Sequence, residues 1–412
     1  MTQTITRNEW TKYWTLPVAA ALGYATSVIH IYGLSPYVVP VSEGFGWDRS
    51  TVTFGLTIAT LIQALFGVPI GMLVDRMGPR PLGVIGVALT CAAFASIGLA
   101  STGSEWQWYG LWAMMALATL PVQATIWTAA VATRFEASRG FAFAITLCGA
   151  SVAQALFPWL GTELIASHGW QKAMAIQSAI WAAIAWPIIF LFFRGARDQK
   201  ADAKTSESDA DQQEATKGMT FAEGLKSSIY LRLLLASLLF TFVALALVVN
   251  FIAIQTDSGM EATAAGALAF WIGMFAIIGR LGTGLLLDRL RANLVGAAIF
   301  CMPMLACLNF LYLGPEAAFF SAALIGLTVG AEVDVIVYLA TRHFGLKAFG
   351  ALYGGLLVAL SVGTALGPLA ATEVFDKTGA YDLFFWGAIG CMVISVLALA
   401  SLPRPAFGSD KV

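Results

Sequence analysis

Arg280 stands in GRLGTGLLLDRL, residues 279–290, among glycines and leucines at the tail of an apolar run that begins near Gly266. A guanidinium carries five N–H donors in a planar fork that matches a carboxylate. Two acids, Glu332 and Asp334, lie in GAEVDVIVY at 330–338. An acid in apolar surroundings either binds and releases a proton or serves as the fixed counter-ion of a cation. His30 and Tyr32 lie in SVIHIYG. The imidazole either moves a proton or packs as a hydrogen-bonded side chain. The tyrosine either donates its hydroxyl to a ligand or belongs to an interfacial aromatic belt. Gln123, Gln154 and Asn250 are amides inside apolar runs. They need partners there, so they point inward, to a ligand or to another helix. Trp127 and Trp271 are candidate walls of an aromatic-tolerant pocket.

The surroundings of these residues set the physical problem. Hydrophobic residues make up 58% of the 412-residue chain and charged ones only 11%. A soluble domain carries about 25% charged residues, so most of this surface does not face water. An arginine in hydrocarbon costs from about 3 to above 10 kcal/mol. It is retained where it is paired or lines a wet cavity, or where it snorkels to the membrane edge. Arg280 lies about 12 Å up its helix from Asp288, at about 1.5 Å per residue. Glu332 and Asp334, next-but-one neighbours, point about 200° away from each other on a helix. They cannot both face one spot.

Twelve apolar windows are long enough to span a bilayer: 14–41, 49–74, 81–101, 107–132, 139–163, 171–193, 229–255, 263–287, 293–313, 317–341, 346–372 and 381–402. Backbone hydrogen bonding in lipid makes them helices. Residues 194–228 are charged and nearly free of large apolar residues, apart from a short surface helix expected around Phe221–Leu225. The expected organisation is therefore a six-helix half at 1–193, a linker at 194–228 and a second half at 229–412. With the N-terminus inside, nineteen of the 23 Lys and Arg fall on the inner side. Arg49, Lys172 and Lys377 fall outside, and Arg280 alone is within the membrane. The positive-inside rule then puts both termini and the linker in the cytoplasm, in the plasma (inner) membrane of the cell.

The halves repeat. GMLVDRMGPR at 71–80 follows the second span and GLLLDRLRAN at 284–293 the eighth, so Asp288 takes the place of Asp75. ATRF ends the fourth span and ATRH the tenth, so Arg342 takes the place of Arg134 at nearly the same offset. Paired six-helix halves are the architecture of alternating-access transporters. GMLVDRMGPR resembles the loop 2–3 signature of the major facilitator superfamily, Gly-x-x-x-Asp-x-x-Gly-Arg-Arg, with Pro79 at the first of the final arginines. The loop 8–9 copy keeps Gly284, Asp288 and Arg289 but lacks the later glycine. The resemblance covers essentially the whole chain and implies an all-α membrane fold of twelve helices in two pseudo-symmetric halves. It also implies a cytoplasmic latch of charge pairs among Asp75, Arg76, Arg80, Arg134, Asp288, Arg289 and Arg342, made in one state and broken in the other.

Arg280, just before Gly-x-Gly-x-x-x-Asp-Arg, resembles the monocarboxylate and oxalate/formate branch, in which an arginine of span 8 binds the substrate carboxylate. Two departures stand out. Ala276 replaces the aspartate of some relatives, and span 11 lacks the lysine of oxalate exchangers. One cation argues for one carboxylate. The expectation is a monomeric secondary transporter in the lipid bilayer that takes up a small organic anion together with protons. Arg280, His30, Tyr32, Gln123, Gln154 and Asn250 would bind the anion, and Glu332 and Asp334 would couple the proton. An exporter or exchanger of drug-like or metabolite molecules is the alternative. The five cysteines lie in apolar runs without ligand spacing, and the three histidines are far apart. Neither a metal motif nor a phosphate-binding loop nor a catalytic dyad is visible. No cofactor, nucleic-acid partner or enzymatic activity is expected.

Overall fold

The computed structural model describes residues 9–135, 138–195, 219–287, 289–345 and 349–403, with backbone alone at 67–76, 139, 349 and 350. The first of its two compact units is residues 1–203 with 262–270; the second is 204–261 with 271–412.

The first unit contains α1 (Thr15–Ser27), α2 (Ile29–Tyr32), α3 (Val38–Phe45), α4 (Arg49–Met77), α5 (Pro79–Ala100), α6 (Glu105–Thr119), α7 (Ala124–Ala132), α8 (Arg139–His168) and α9 (Trp170–Phe192). The second contains α10 (Phe221–Lys226), α11 (Ser228–Asp257), α12 (Ala262–Leu287), α13 (Ala292–Tyr312), α14 (Ala318–Phe344), α15 (Phe349–Thr378) and α16 (Asp382–Ala400). The start of α12, Ala262–Phe270, groups with the first unit. Among the described residues, eleven helices are long and apolar enough to cross a bilayer, and the bent first span makes up to twelve. The short surface helix is α10, closed by a capping box in which Thr220 and Glu223 satisfy each other's backbone donors.

Two spans of the first unit are broken. The first bends by 47° between Thr15–Ser27 and Ile29–Phe45. At that bend the Thr26 and Ser27 hydroxyls donate back to the carbonyls of Leu22 (2.9 Å) and Tyr24 (2.7 Å). Such back-bonding competes with the helical ladder and bends it. The fourth span breaks at Pro121, where Leu120–Val122 tighten to a 3₁₀ turn and Gln123 is extended before α7 restarts. In the second unit, α11 and α14 run unbroken through 30 and 27 residues.

Glycines set the closest helix approaches. A Cβ at Gly149 on α8 would strike the Ala21 carbonyl of α1. In the second unit a Cβ at Gly367 on α15 would strike the Phe242 carbonyl of α11. Both repeats therefore use the same device between their first and fifth helices. The loop motif is also explained. Gly78 precedes α5 at φ 80°, a conformation that favours glycine. Arg291, its counterpart in the second repeat, precedes α13 at φ −65° and needs none.

Gly149→Ala and Gly367→Ala should each lower stability by about 1–3 kcal/mol through overpacking. Gly390→Ala, which enters open space, should be neutral. Thermal melts of the detergent-solubilised protein check this; equal melting temperatures for all three would remove the close-packed seams.

Candidate functional site

The second unit supplies the charged cluster. Arg280 lies towards the C-terminal end of α12, and its side chain is 10% exposed. α12 and α14 meet through small residues. A Cβ at Gly279 would strike the Leu327 carbonyl, one at Gly326 the Ile272 carbonyl, and one at Gly330 the Ala276 carbonyl. GLTVG, at 326–330, is a Gly-x-x-x-Gly pattern that lets two helix backbones approach. The seam brings the segment after Gly330 beside the segment after Ala276.

The result is an ion pair. Arg280 Nη1 lies 3.5 Å from Asp334 Oδ1. Asp334, 31% exposed, is the more open partner. Glu332 is buried on the same helix and lies within the field of Arg280. Of the two acids, Asp334 therefore takes the counter-ion position and Glu332 the neighbouring buried one. The contact is long for a charge-assisted hydrogen bond, which closes to about 2.7–2.9 Å. Arg280 Nε is buried and lacks a hydrogen-bond partner. The guanidinium is thus held by a loose contact while a donor faces nothing, and an arriving carboxylate would fill that deficit.

In the first unit, Gln63 on α4 joins two other elements. Its Nε2 donates to Thr119 Oγ1 at 2.6 Å and lies 3.0 Å from His30 Nε2. His30, on α2, and Thr119, ending α6, are both buried. Sequence reasoning singled out His30 but passed over Gln63 and Thr119. Gln63 is a lone amide in an apolar run, the same signal that marked the other three.

The remaining expected residues separate. Gln154 is buried on α8, with Nε2 unpartnered. Gln123 Nε2 reaches the Thr119 carbonyl, at 3.5 Å. Asn250, fully buried on α11, donates to the carbonyls of Ala246 (3.0 Å) and Pro368 (3.4 Å), which makes it a clamp on the proline-interrupted α15. Tyr32 is buried. Trp127 is not a pocket wall. It is fully buried against Gly23 and Gly83, packs on Phe193 at 4.7 Å, and donates to the Val122 carbonyl. Trp271 is 43% exposed and packs on Phe275 and Phe319.

The arginines expected in the latch meet carbonyls and tyrosines. Arg80 donates to the Phe190 carbonyl at 3.1 Å. Arg134 donates to Tyr13 Oη and the Gly195 carbonyl and covers the Tyr13 ring. Arg342 donates to Tyr338 Oη at 3.0 Å and lies over its ring. Arg289 is in an exposed turn. Asp288 and the side chains of Asp75 and Arg76 lie outside the described residues.

Fold and sequence together define a multi-pass α-helical membrane transporter. The profile described as the Major Facilitator Superfamily matches residues 20–330, and the chain belongs to that superfamily. It is 27% identical over 347 residues to MFS transporter asaE of Aspergillus flavus, a match that covers 81% of this chain and 73% of that protein. Among solved structures, the nucleoside transporter NupG shares the fold with a TM-score of 0.73 at 12% identity, over 94% of this chain and 98% of that one. A D-xylose–proton symporter does so with a TM-score of 0.73 at 13% identity, over 95% and 98%.

A double-mutant cycle over Arg280→Ala and Asp334→Ala should give a coupling of about 1–3 kcal/mol in thermal stability, with the double variant more stable than the two single losses would sum to. Strict additivity would show that the two side chains do not interact.

Proposed function

We propose that this transporter takes up a small organic anion, a monocarboxylate, in symport with protons, in the manner of the monocarboxylate and oxalate/formate branch. The observation that supports it is the incompletely satisfied guanidinium of Arg280, held at 3.5 Å by Asp334 with Nε unpartnered. A carboxylate binds such a fork through two parallel hydrogen bonds and displaces the weaker single contact. Displacement frees Asp334. A carboxylate side chain released from its cation in a poorly solvated site is stabilised by taking up a proton. Anion and proton then enter together, because each favours the site that the other leaves. Glu332, buried beside the pair, is the second acid of the coupling cluster.

The same geometry limits the charge of the cargo. Arg280 is the single cation that the sequence places inside the spans, and a second carboxylate would be left without a counter-charge. Binding must also replace the empty site's ion pair, so the net affinity is moderate. Loading then costs little and release remains possible.

The test is thermal stabilisation of the purified protein by a panel of aliphatic, aromatic and dicarboxylic acids. Monocarboxylates at about 100 times Kd should add about 2.7 kcal/mol of stability, and folded Arg280→Ala should lose the response. Equal responses in wild type and variant, or none in wild type, would contradict the anion reading.

A further inference from the structure

The first unit carries a polar cluster that the charge pair does not use. His30 follows the break in the first span, Thr119 precedes the break in the fourth, and Gln63 reaches both. The cluster is deep. Gln63 lies midway along α4 and Thr119 ends α6, each about 21 Å from the start of its helix at about 1.5 Å per residue.

A purely structural network would close on itself, and this one does not. Thr119 Oγ1 is already satisfied by its own helix, through the carbonyls of Met115 and Ala116. Its helix therefore has no need of Gln63. α8 packs against both α1 and α2, and it carries Gln154, whose buried Nε2 has no partner. A buried donor without an acceptor is costly. Two interrupted helices at membrane depth belong where backbone is buried in protein or lines a solute path. Unlike the second unit, this one brings no cation to the cluster among its described residues. With Gln63 Nε2 as donor, His30 Nε2 accepts, and the imidazole is neutral.

The repeat gives the cluster its place. Gln63 and Thr119 join the second and fourth spans of the first half, as Arg280 and Asp334 join the eighth and tenth. At the spacing that relates Asp75 to Asp288, Gln63 corresponds to Ala276, one turn before Arg280 and on the same face. The two halves therefore use the same helix pair for polar contacts, charged in one and uncharged in the other.

We infer that His30, Gln63, Thr119 and Gln154 form a second recognition subsite, for an uncharged oxygen of the solute such as the hydroxyl or keto group of a substituted monocarboxylate. The inference rests on the anion reading of Arg280. A hydroxyl or keto oxygen accepts from Gln154 Nε2, and a hydroxyl also donates to the cluster. A second carboxylate would meet no opposite charge there.

Apparent Kd values from thermal stabilisation should be measured for 2-hydroxy and 2-oxo acids and for unsubstituted acids of equal carbon number. Wild type, Gln154→Leu and Gln63→Leu are the proteins. Gln154→Leu removes a donor that holds nothing in place, so it should fold. The substituted acids should bind wild type about tenfold more tightly. Both variants should lose that advantage while keeping the affinity for unsubstituted acids. Equal binding of substituted and unsubstituted acids to wild type, or an advantage retained in Gln154→Leu, would overturn the subsite while leaving the Arg280 clamp intact. Absence of any stabilisation by acids would overturn the clamp, and the subsite with it.

Discussion

A guanidinium inside an apolar helical bundle is the constraint from which the rest follows. Arg280 is stable there only with negative charge close by. Asp334 supplies it at 3.5 Å, a contact that compensates the charge without saturating the donors. An ideal bidentate pair would be a structural staple, difficult to open. A single loose contact can be exchanged for a better acceptor. The difference between a fixed cross-link and a binding site is therefore set by the length of one contact and by one unpartnered Nε.

That length depends on packing elsewhere. Gly279, Gly326 and Gly330 let α12 and α14 approach backbone to backbone. A methyl group at any of the three would push the helices apart and lengthen the Arg280–Asp334 contact. The first unit uses different means. Back-bonding hydroxyls at Thr26 and Ser27 and the proline at 121 interrupt two helices. Those interruptions bring His30 and Thr119 to Gln63. One repeat unit thus positions its polar groups by close packing, and the other by broken helices.

The architecture was legible in the sequence because hydrophobic runs of about 20 residues leave little freedom in a bilayer. The predicted spans agree with the helices to within a few residues, apart from longer inner or outer ends such as Phe349–Thr378 and Arg139–His168. Arg280 was conspicuous as the sole cation within a span. Its partner was not legible. Glu332 and Asp334 point in opposed directions on one helix, so one acid must face away. Choosing between them requires the rotational register of α12 on α14. That register is fixed by the Gly326–Gly330 pattern, whose consequence appears only when both helices are placed. Gln63 was missed because an isolated amide signals only that a partner exists somewhere. The tryptophan at 127 was misread because burial against glycines, rather than its chemistry, determines its role.

On the proposed mechanism, anion binding at Arg280 releases Asp334 to take up the proton. Proteoliposomes loaded at neutral pH and diluted into acidic medium, with the best-stabilising labelled monocarboxylate, test that step most directly. Wild type should accumulate the acid above its external concentration. Asp334→Asn should exchange internal for external acid without accumulating it, and Arg280→Ala should do neither. Gradient-driven accumulation by Asp334→Asn equal to that of wild type would contradict the coupling, and normal uptake by Arg280→Ala would contradict the clamp itself.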